Sequence, residues 1–493
     1  MLSAEICAEL RSALSEHGYT VDRVVEAIGE QAHRALGRNT TVVAARALGD
    51  RDDPLAVLTS MWPLQRSVSR SALDRALPGL VGPLAAAGIL RQSGNQVHAE
   101  VDIRPYASDD GAGGWIVSDL SPNLDTHTAP VRPDFVLGVS SASTTLAQLT
   151  LRHPVRRALD LGTGCGVQTL HLARHAQQVV ATDLNPRALA MAELTLGLNR
   201  VTADLRLGSL FQPVADERFD LITTNPPYVM SPPGKPGQRL TYREGDYPAD
   251  GLVEQVVRHG PDQLTDGGTL QVLANWAHPA GDDWRQRLYG WIAATGCDAH
   301  VVQREALDVD EYVELWLADA GLAGSADYVR RYDAWLDYFE QLGVEAVGMG
   351  WIVLRRAGRS DPQIEIEDWP HPLEQPIGPA VADGFQAREL EQDLSGDELL
   401  GRRWRLAVDV LEESTGAPGA GDPEHIVHRQ QRGFRRAVAV DTALGGILGA
   451  CDGELSLGQI IASVAEILEV PPGMLLDDVV PALRRLVRQG FLG

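Results

Sequence analysis

Lysine is almost absent from this chain. Of its 43 basic residues only Lys235 is a lysine, and 67 acidic residues leave a net charge of −24 over 493 residues. That excess opposes binding to nucleic acid over the whole surface, which rests on neutralising phosphates, although a local basic patch remains compatible with it. The charge is unevenly spread, at −1 over 1–107, −13 over 108–355 and −10 over 356–493. Cysteine is scarce too. Cys7, Cys165, Cys297 and Cys451 are scattered without a C-x-x-C pair, which argues against a disulfide or metal framework and points to a reducing cytoplasm. The chain start lacks a charged-then-apolar leader. No apolar run reaches membrane-spanning length, and 76–90 is broken by Pro78, Gly79, Gly82 and Pro83. His171 and His175 have the spacing of metal ligands on one helical face, but no Glu follows His171 and no third ligand is evident. His425 and His428 read as surface residues, so no metal is expected.

What the chain does contain centres on residues 158–228. Ala158-Leu159-Asp160-Leu161 is a buried strand running into Gly162-Thr163-Gly164-Cys165-Gly166, and a helix follows from Val167. Glycines let a ligand approach the backbone without a Cβ in the way, and the free amides of the helix start face the same ligand. A second strand, Val179–Thr182, ends at Asp183, placed to accept hydrogen bonds from ribose hydroxyls. A dinucleotide enzyme fits up to this point, but the loop is G-T-G-C-G and lacks the G-x-G-x-x-G fingerprint.

The strand Phe219–Thr224 leads into Asn225-Pro226-Pro227-Tyr228. Two prolines fix φ and remove two donors, so the loop is stiff and its carbonyls are free to accept. The Asn225 side-chain oxygen and the Pro226 carbonyl can both accept from an incoming NH2 group. Tyr228 offers a flat face for a base or an amide. The set describes a clamp for a planar nitrogen, with Asn225, Pro226 and Tyr228 as the catalytic candidates.

These motifs resemble those of class I S-adenosylmethionine-dependent methyltransferases. Within that family they are similar to the N-P-P-[YF] branch: HemK-like glutamine methyltransferases, ribosomal RNA guanine amine methyltransferases and adenine amino-methyltransferases. The resemblance covers residues 130–356. It implies S-adenosyl-L-methionine as cofactor, with Asp160, Gly162, Thr163, Gly164 and Gly166 around its methionine part. It implies Asp183 on the ribose, Leu184 against the adenine, and Ser209, Leu210 and Asn225 completing the site. Ser209 stands where many members carry an acid, and Thr223 and Thr224 replace the more usual apolar residue and Ser. The resemblance also implies an α/β fold, a Rossmann-like seven-stranded sheet with one antiparallel edge.

Three domains are expected. Residues 1–107 read as a helical, winged-helix-like unit: an amphipathic helix over 2–17, a second beginning at the N-cap Thr20, more over 39–48, 54–61 and 69–77, then a turn at Ser93-Gly94-Asn95 and a strand over 96–104. Residues 108–356 hold the methyltransferase domain, with its cofactor core at 155–356. A helix over 143–149 is expected to cover the cofactor entrance, with Ser140, Ser141 and Thr144 as further candidate contacts. Lys235, Arg239, Tyr242 and Arg243, in the proline- and glycine-rich stretch after the clamp, are candidate substrate contacts. Helical patterns over 309–320 and 325–342 form an insertion before the last strand. Residues 357–493 form an acidic domain with a proline-rich connector at 362–379, an arginine stripe at Arg429, Arg432, Arg435 and Arg436, and a winged-helix-like end. The expected function is N-methylation of a planar NH2 group on an RNA or protein of the translation apparatus, with an RNA base amine ahead of a protein glutamine. The rival from another class is a non-catalytic S-adenosylmethionine-sensing regulator, which has no need of an amine clamp.

Overall fold

The computed structural model describes residues 2–125, 127–128, 131–233, 247–418 and 423–493. Lys235, Arg239, Tyr242 and Arg243 lie outside the described residues. The rest packs into two compact units, residues 1–147 with 153–369, and residues 148–152 with 370–493.

The first unit is built on a sheet of eight strands: β1 Val155–Leu161, β2 Ala176–Asp183, β3 Asp204–Leu207, β4 Phe219–Thr224, β5 Leu264–Pro279, β6 Asp298–Asp308, β7 Val344–Arg355 and β8 Ile364–Asp368. Their order is β3-β2-β1-β4-β5-β7-β6-β8. The central residues of β1, β2, β4 and β5 are buried because a mostly parallel sheet is covered on both faces. The register aligns Thr224 with Leu161, and Leu161 with Thr182. The loops after β1, β2 and β4 therefore leave the same end of the sheet. From β1 the chain steps to β2 on one side, while β4 flanks β1 on the other. Such a switch point opens a crevice at the strand ends.

Helices connect the strands: α1 Ser141–Leu149 before β1, α2 Val167–Leu172, α3 Pro186–Asn199, α4 Gly251–His259, α5 Trp284–Ile292, and α6 Val309–Asp319 with α7 Tyr328–Leu342 between β6 and β7. Asn185 caps α3 by accepting from the Arg187 amide, and Pro186 takes the first helical position, where a missing N–H costs nothing.

The sheet differs from expectation in two ways. It has eight strands rather than seven, because Ile364-Glu365-Ile366-Glu367-Asp368 pairs in parallel with β6. The flanking prolines make this stretch read as a connector, but they bound the strand without interrupting it, and a helix already begins at Gly378. The antiparallel strand β7 also lies inside the sheet, between β5 and β6, and not at its edge.

The N-terminal segment forms helices at Ala4–Glu16, Val21–Ile28, Glu30–Leu36, Val42–Leu48, Pro54–Met61, Arg70–Ala76 and Val81–Ala86. Ser3, Thr20, Asp53 and Ser69 cap four of them. Strands Val68–Ser69, Leu90–Ser93 and Gln96–Ala99 make a small sheet. The boundary expected at 107 falls inside a hairpin, Asp102–Ala107 with Gly113–Ser118. The segment shares one hydrophobic core with the helical face of the large sheet, joining Leu10 and Leu14 to Leu170, Met191 and Leu196. Asn199 on α3 locks the junction: its amide donates to the Trp115 carbonyl at 2.7 Å and its oxygen accepts from the Trp115 N–H at 3.0 Å.

The second unit carries helices Gly378–Asp393 and Gly396–Gly401, an antiparallel sheet of Val410–Thr415, His425–Gln430 and Ala437–Val440, and helices Thr442–Gly449, Leu457–Ile467 and Pro472–Arg488. Its core gathers Trp404, Ile447, Leu483 and Phe491. Among the described residues no helix is long and apolar enough to cross a membrane.

One ion pair ties α5 to the start of α4. Both Arg287 guanidinium arms donate to Asp250, at 2.6 and 2.7 Å, and the Ala277 amide donates to the same carboxylate at 2.8 Å. The Asp250 side chain is only 2% exposed. Replacing Arg287 by Met should therefore destabilise the first unit by about 3 kcal/mol, because the carboxylate stays buried without its cation. Scanning calorimetry of Arg287→Met with no lowered transition would contradict this.

Candidate functional site

A cavity of about 650 Å³ opens at the carboxyl ends of β1, β2 and β4. Its floor is the glycine loop. Gly162, Gly164 and Gly166 all have positive φ, at 79°, 55° and 84°. Gly166 has a second constraint, since a Cβ there would meet the Ala192 Cα of α3 at 3.2 Å. Residues 162–165 line the cavity and Gly166 lies just behind, where α2 packs on α3.

Two carboxylates stand under this loop. Asp160, at 1% exposure, accepts from Thr163 Oγ1 at 2.7 Å and Thr169 Oγ1 at 2.6 Å. Burial pushes its carboxyl up to about 6, with the neighbouring Asp183 adding to the rise. Asp183 is also raised by burial, against the amides of Asn185 and Gly164, which donate to its two oxygens at 2.8 and 2.9 Å. Each oxygen keeps a further lone pair. Neither acid has an ion-pair partner among the described residues. Asp160 itself does not line the cavity and acts on it through Thr163, whereas Asp183 lines it directly.

The remaining candidates divide cleanly. Leu184, Ser209, Leu210, Asn225 and Pro226 all line the cavity, and Leu184 is 55% exposed. The Asn225 side-chain oxygen is buried without a hydrogen-bond partner among the described residues. Thr224 holds the loop from behind, its hydroxyl donating to the Leu161 carbonyl at 2.7 Å. Tyr228 is not on the wall. Its ring stands edge-on to Trp316 with 6.4 Å between centroids, and burial pushes its hydroxyl up to about 12.

Segment 133–140 and α1 form the opposite wall. The Asn185 amide donates to the Asp134 carbonyl at 2.9 Å, and Asp119 accepts from the Val136 amide at 2.8 Å. Ser140 and Ser143 line the cavity; Ser141 and Thr144 do not. Sequence reasoning missed Gln168 and Thr182. Both line the cavity, and each has a buried oxygen without a partner among the described residues. The available signal for Gln168 was a polar residue inside the buried run Val167–Leu172, where its amide donates to the Ser143 carbonyl at 2.7 Å. His171 forms no metal site. It is buried between the Tyr106 hydroxyl and Asp110, each at 2.7 Å, and among the described residues no cluster could hold a metal ion.

A crevice with a glycine floor, two uncompensated acids and an unpartnered Asn oxygen can take a ligand carrying positive charge, hydroxyls and an NH2 group. Residues 138–288 match the family model described as the methyltransferase small domain. This segment is similar to that domain over less than a third of the chain. Residues 16–100 match a domain of unknown function (DUF7059). The chain is 32% identical over 176 residues to a ribosomal protein uL3 glutamine methyltransferase of Bradyrhizobium diazoefficiens, covering 32% of this chain and 54% of that protein. It is 32% identical over 158 residues to a release factor glutamine methyltransferase of Geobacter sulfurreducens, covering 29% and 52%. To a ribosomal RNA small subunit methyltransferase C of Pasteurella multocida it is 33% identical over 153 residues, covering 29% and 42%. The chain thus spans about half the length of these relatives, and the segment matching that family model contributes most of the cavity's walls.

The Asp160 shift has a definite sign. The carboxyl ionises near 4 in the unfolded chain and at about 6 in the fold. Its contribution to stability is complete below about pH 4 and is lost as the pH rises through about 6, leaving a cost of about 3 kcal/mol at pH 7.5. Asp160→Asn should therefore melt higher than the parent at pH 7.5 and lose that advantage by pH 4. Equal melting temperatures at both pH values would show that the carboxyl is not shifted.

Proposed function

We propose that this protein is an S-adenosyl-L-methionine-dependent N-methyltransferase acting on a planar NH2 nitrogen of a macromolecule of the translation apparatus, an RNA base amine, in the cytoplasm. The observation that carries the reading is the buried Asn225 oxygen, without a partner among the described residues, on the wall of a cavity whose floor is the glycine loop and whose lining includes Asp183. The residues fit the cofactor. Asp160 and Asp183 ask for positive charge, the free lone pairs of Asp183 suit ribose hydroxyls, and exposed Leu184 with Leu210 offers an apolar surface to a base. Gln168 and Thr182 add acceptors that sequence reasoning did not include. When bound, S-adenosyl-L-methionine supplies an electrophilic methyl group on a sulfonium.

The chain's own part is alignment. Asn225 and the Pro226 carbonyl accept the two N–H bonds of the substrate amine, which turns its lone pair toward the cofactor side. The same acceptors stabilise the positive charge that develops on the nitrogen. No strong base is needed at the nitrogen, since the methylated amine is acidic enough to release its proton to water. Segment 133–140 and α1 wall that side of the cavity. A sensor without chemistry has no use for the Asn225 acceptor, which weighs against the regulator reading.

The RNA substrate is supported by relatives named as ribosomal RNA methyltransferases and by the exposed Arg432 and Arg435. The winged-helix reading of the flanks belongs to the same proposal. In the N-terminal segment strand Val68–Ser69 precedes helix Arg70–Ala76 and pairs with the hairpin Leu90–Ser93/Gln96–Ala99, an order compatible with such a module. A protein glutamine is the second reading. It is favoured by relatives named as glutamine methyltransferases, by the −13 charge over 108–355, and by a cavity rim carrying exposed Leu137, Leu184 and Tyr247.

Asp183→Ala should weaken cofactor affinity about tenfold or more, since losing a charged hydrogen-bond partner costs on the order of 1.5–3 kcal/mol. Asn225→Ala should bind cofactor normally and lose about 10²-fold or more in turnover. Calorimetry with unchanged affinity in the first variant, or full turnover in the second, would remove the assignment.

Salt separates the substrates. Methyl transfer to RNA should lose apparent affinity steeply between low and physiological salt, whereas a glutamine docked through apolar contacts should change little. Label from S-adenosylmethionine entering only protease-sensitive material, indifferent to salt, would replace the RNA reading by the glutamine one.

A further inference from the structure

Strands β6 and β7 pair antiparallel as direct neighbours, and a short hairpin suffices to join such a pair. The chain instead inserts residues 309–343, carrying α6 and α7. Neither helix lines the cavity. Their apolar faces close on the chain leaving the N-P-P-Y loop, where Tyr312, Trp335 and Phe339 share a core with Val229 and Met230. Tyr312 is fully buried, edge-on to Phe339 at 5.8 Å and 90°. Its hydroxyl accepts from the Met230 amide at 3.1 Å and from the Asn275 side-chain amide at 3.2 Å. Trp316 on α6 stands edge-on to both Tyr312 and Tyr228.

The near end of the loop is fixed by β4, through the Thr224 hydroxyl on Leu161. The two prolines remove the φ freedom of residues 226 and 227. Anchoring the Met230 amide therefore fixes the far end of the loop. Asn225 cannot supply its own anchor, because its oxygen has no partner among the described residues. The direction in which it presents that oxygen follows from the backbone on both sides.

We propose that the α6–α7 insertion is the positioning element of the N-P-P-Y loop, and that Tyr312 is a positioning residue whose hydroxyl sets where Asn225 presents its carboxamide oxygen. The inference rests on the role given to Asn225 in the reaction, and it adds that a distant insertion, outside the cavity, controls turnover.

The test is Tyr312→Phe in the full chain, which keeps the ring and removes the acceptor from the Met230 amide. Hydrogen exchange at residues 228–231 should speed at least tenfold, while exchange in β1 and S-adenosylmethionine affinity stay as in the parent. Turnover should fall at least tenfold with the KM for the amine substrate little changed, since a small misplacement of an aligning group acts mainly on the chemical step. Unchanged exchange at 228–231 overturns the proposal. So does faster exchange throughout the unit, or faster local exchange with parental turnover. Should Tyr312→Phe not fold, Trp316→Leu, which removes the edge packing on both Tyr312 and Tyr228, is read by the same outcomes. The exchange arm needs no substrate. Full methyl transfer by Asn225→Ala would therefore sink the reaction assigned to the clamp while leaving the anchoring result to be judged alone.

Discussion

Two acids at the ends of adjacent parallel strands, Asp160 buried and Asp183 half-buried, with no cation beside them among the described residues, are the constraint around which the first unit is arranged. A buried carboxylate survives only if its lone pairs are met. Thr163 and Thr169 meet those of Asp160, which accounts for hydroxyls in an otherwise apolar strand-to-helix junction. Gly164 and Asn185 meet those of Asp183 from backbone amides, which requires the loop to fold back under β2 and the glycines to adopt positive φ. Burial pushes both carboxyls above their ordinary range. Asp183 lines the cavity directly while Asp160 stands behind Thr163, so the negative charge kept at the strand ends prepares the crevice for a positively charged ligand.

The parts of the site legible in the sequence are those set by local chemistry. Gly162, Gly164 and Gly166 announce a turn, Asp183 follows at the right distance, and Asn225-Pro226-Pro227 is stiff whatever surrounds it. The cap at Thr20 is similarly local, and the second helix begins where that signal places it. What was not legible depends on residues remote in the chain. Tyr228 is aromatic and follows the clamp, yet its ring is turned by Trp316 on α6 into the core, away from the cavity. Gln168 looks like one polar residue on a helix and becomes a cavity residue only because α1 lies over it. The strand at 364–368 is too short and too acidic to stand out, and its existence depends on the open edge of β6.

The same distinction explains the domain organisation. Helical periodicity identifies the N-terminal segment as an element-rich region but says nothing of what its apolar face meets. Its helices lie against α2 and α3, the helices that carry the glycine loop and follow Asp183. With Tyr106 and Asp110 of the linking hairpin hydrogen-bonded to His171 of α2, this segment is part of the support of the crevice. Its apolar contacts and polar contacts reach the same two helices, so it is mechanically continuous with the site.

The way the large sheet ends has a consequence for self-association. A parallel sheet whose last strand is long and apolar offers a row of unpaired backbone groups to any passing chain. Here one border is β3, four residues long and carrying Asp204 and Arg206. The other is β8, which covers β6 with alternating Ile and Glu and closes on Asp368. Both borders are short and charged. Like-charged Glu365, Glu367 and Asp368 on a copy approaching edge to edge would face their own equivalents and repel, so the segment that reads as a mere connector guards the sheet against strand-by-strand growth.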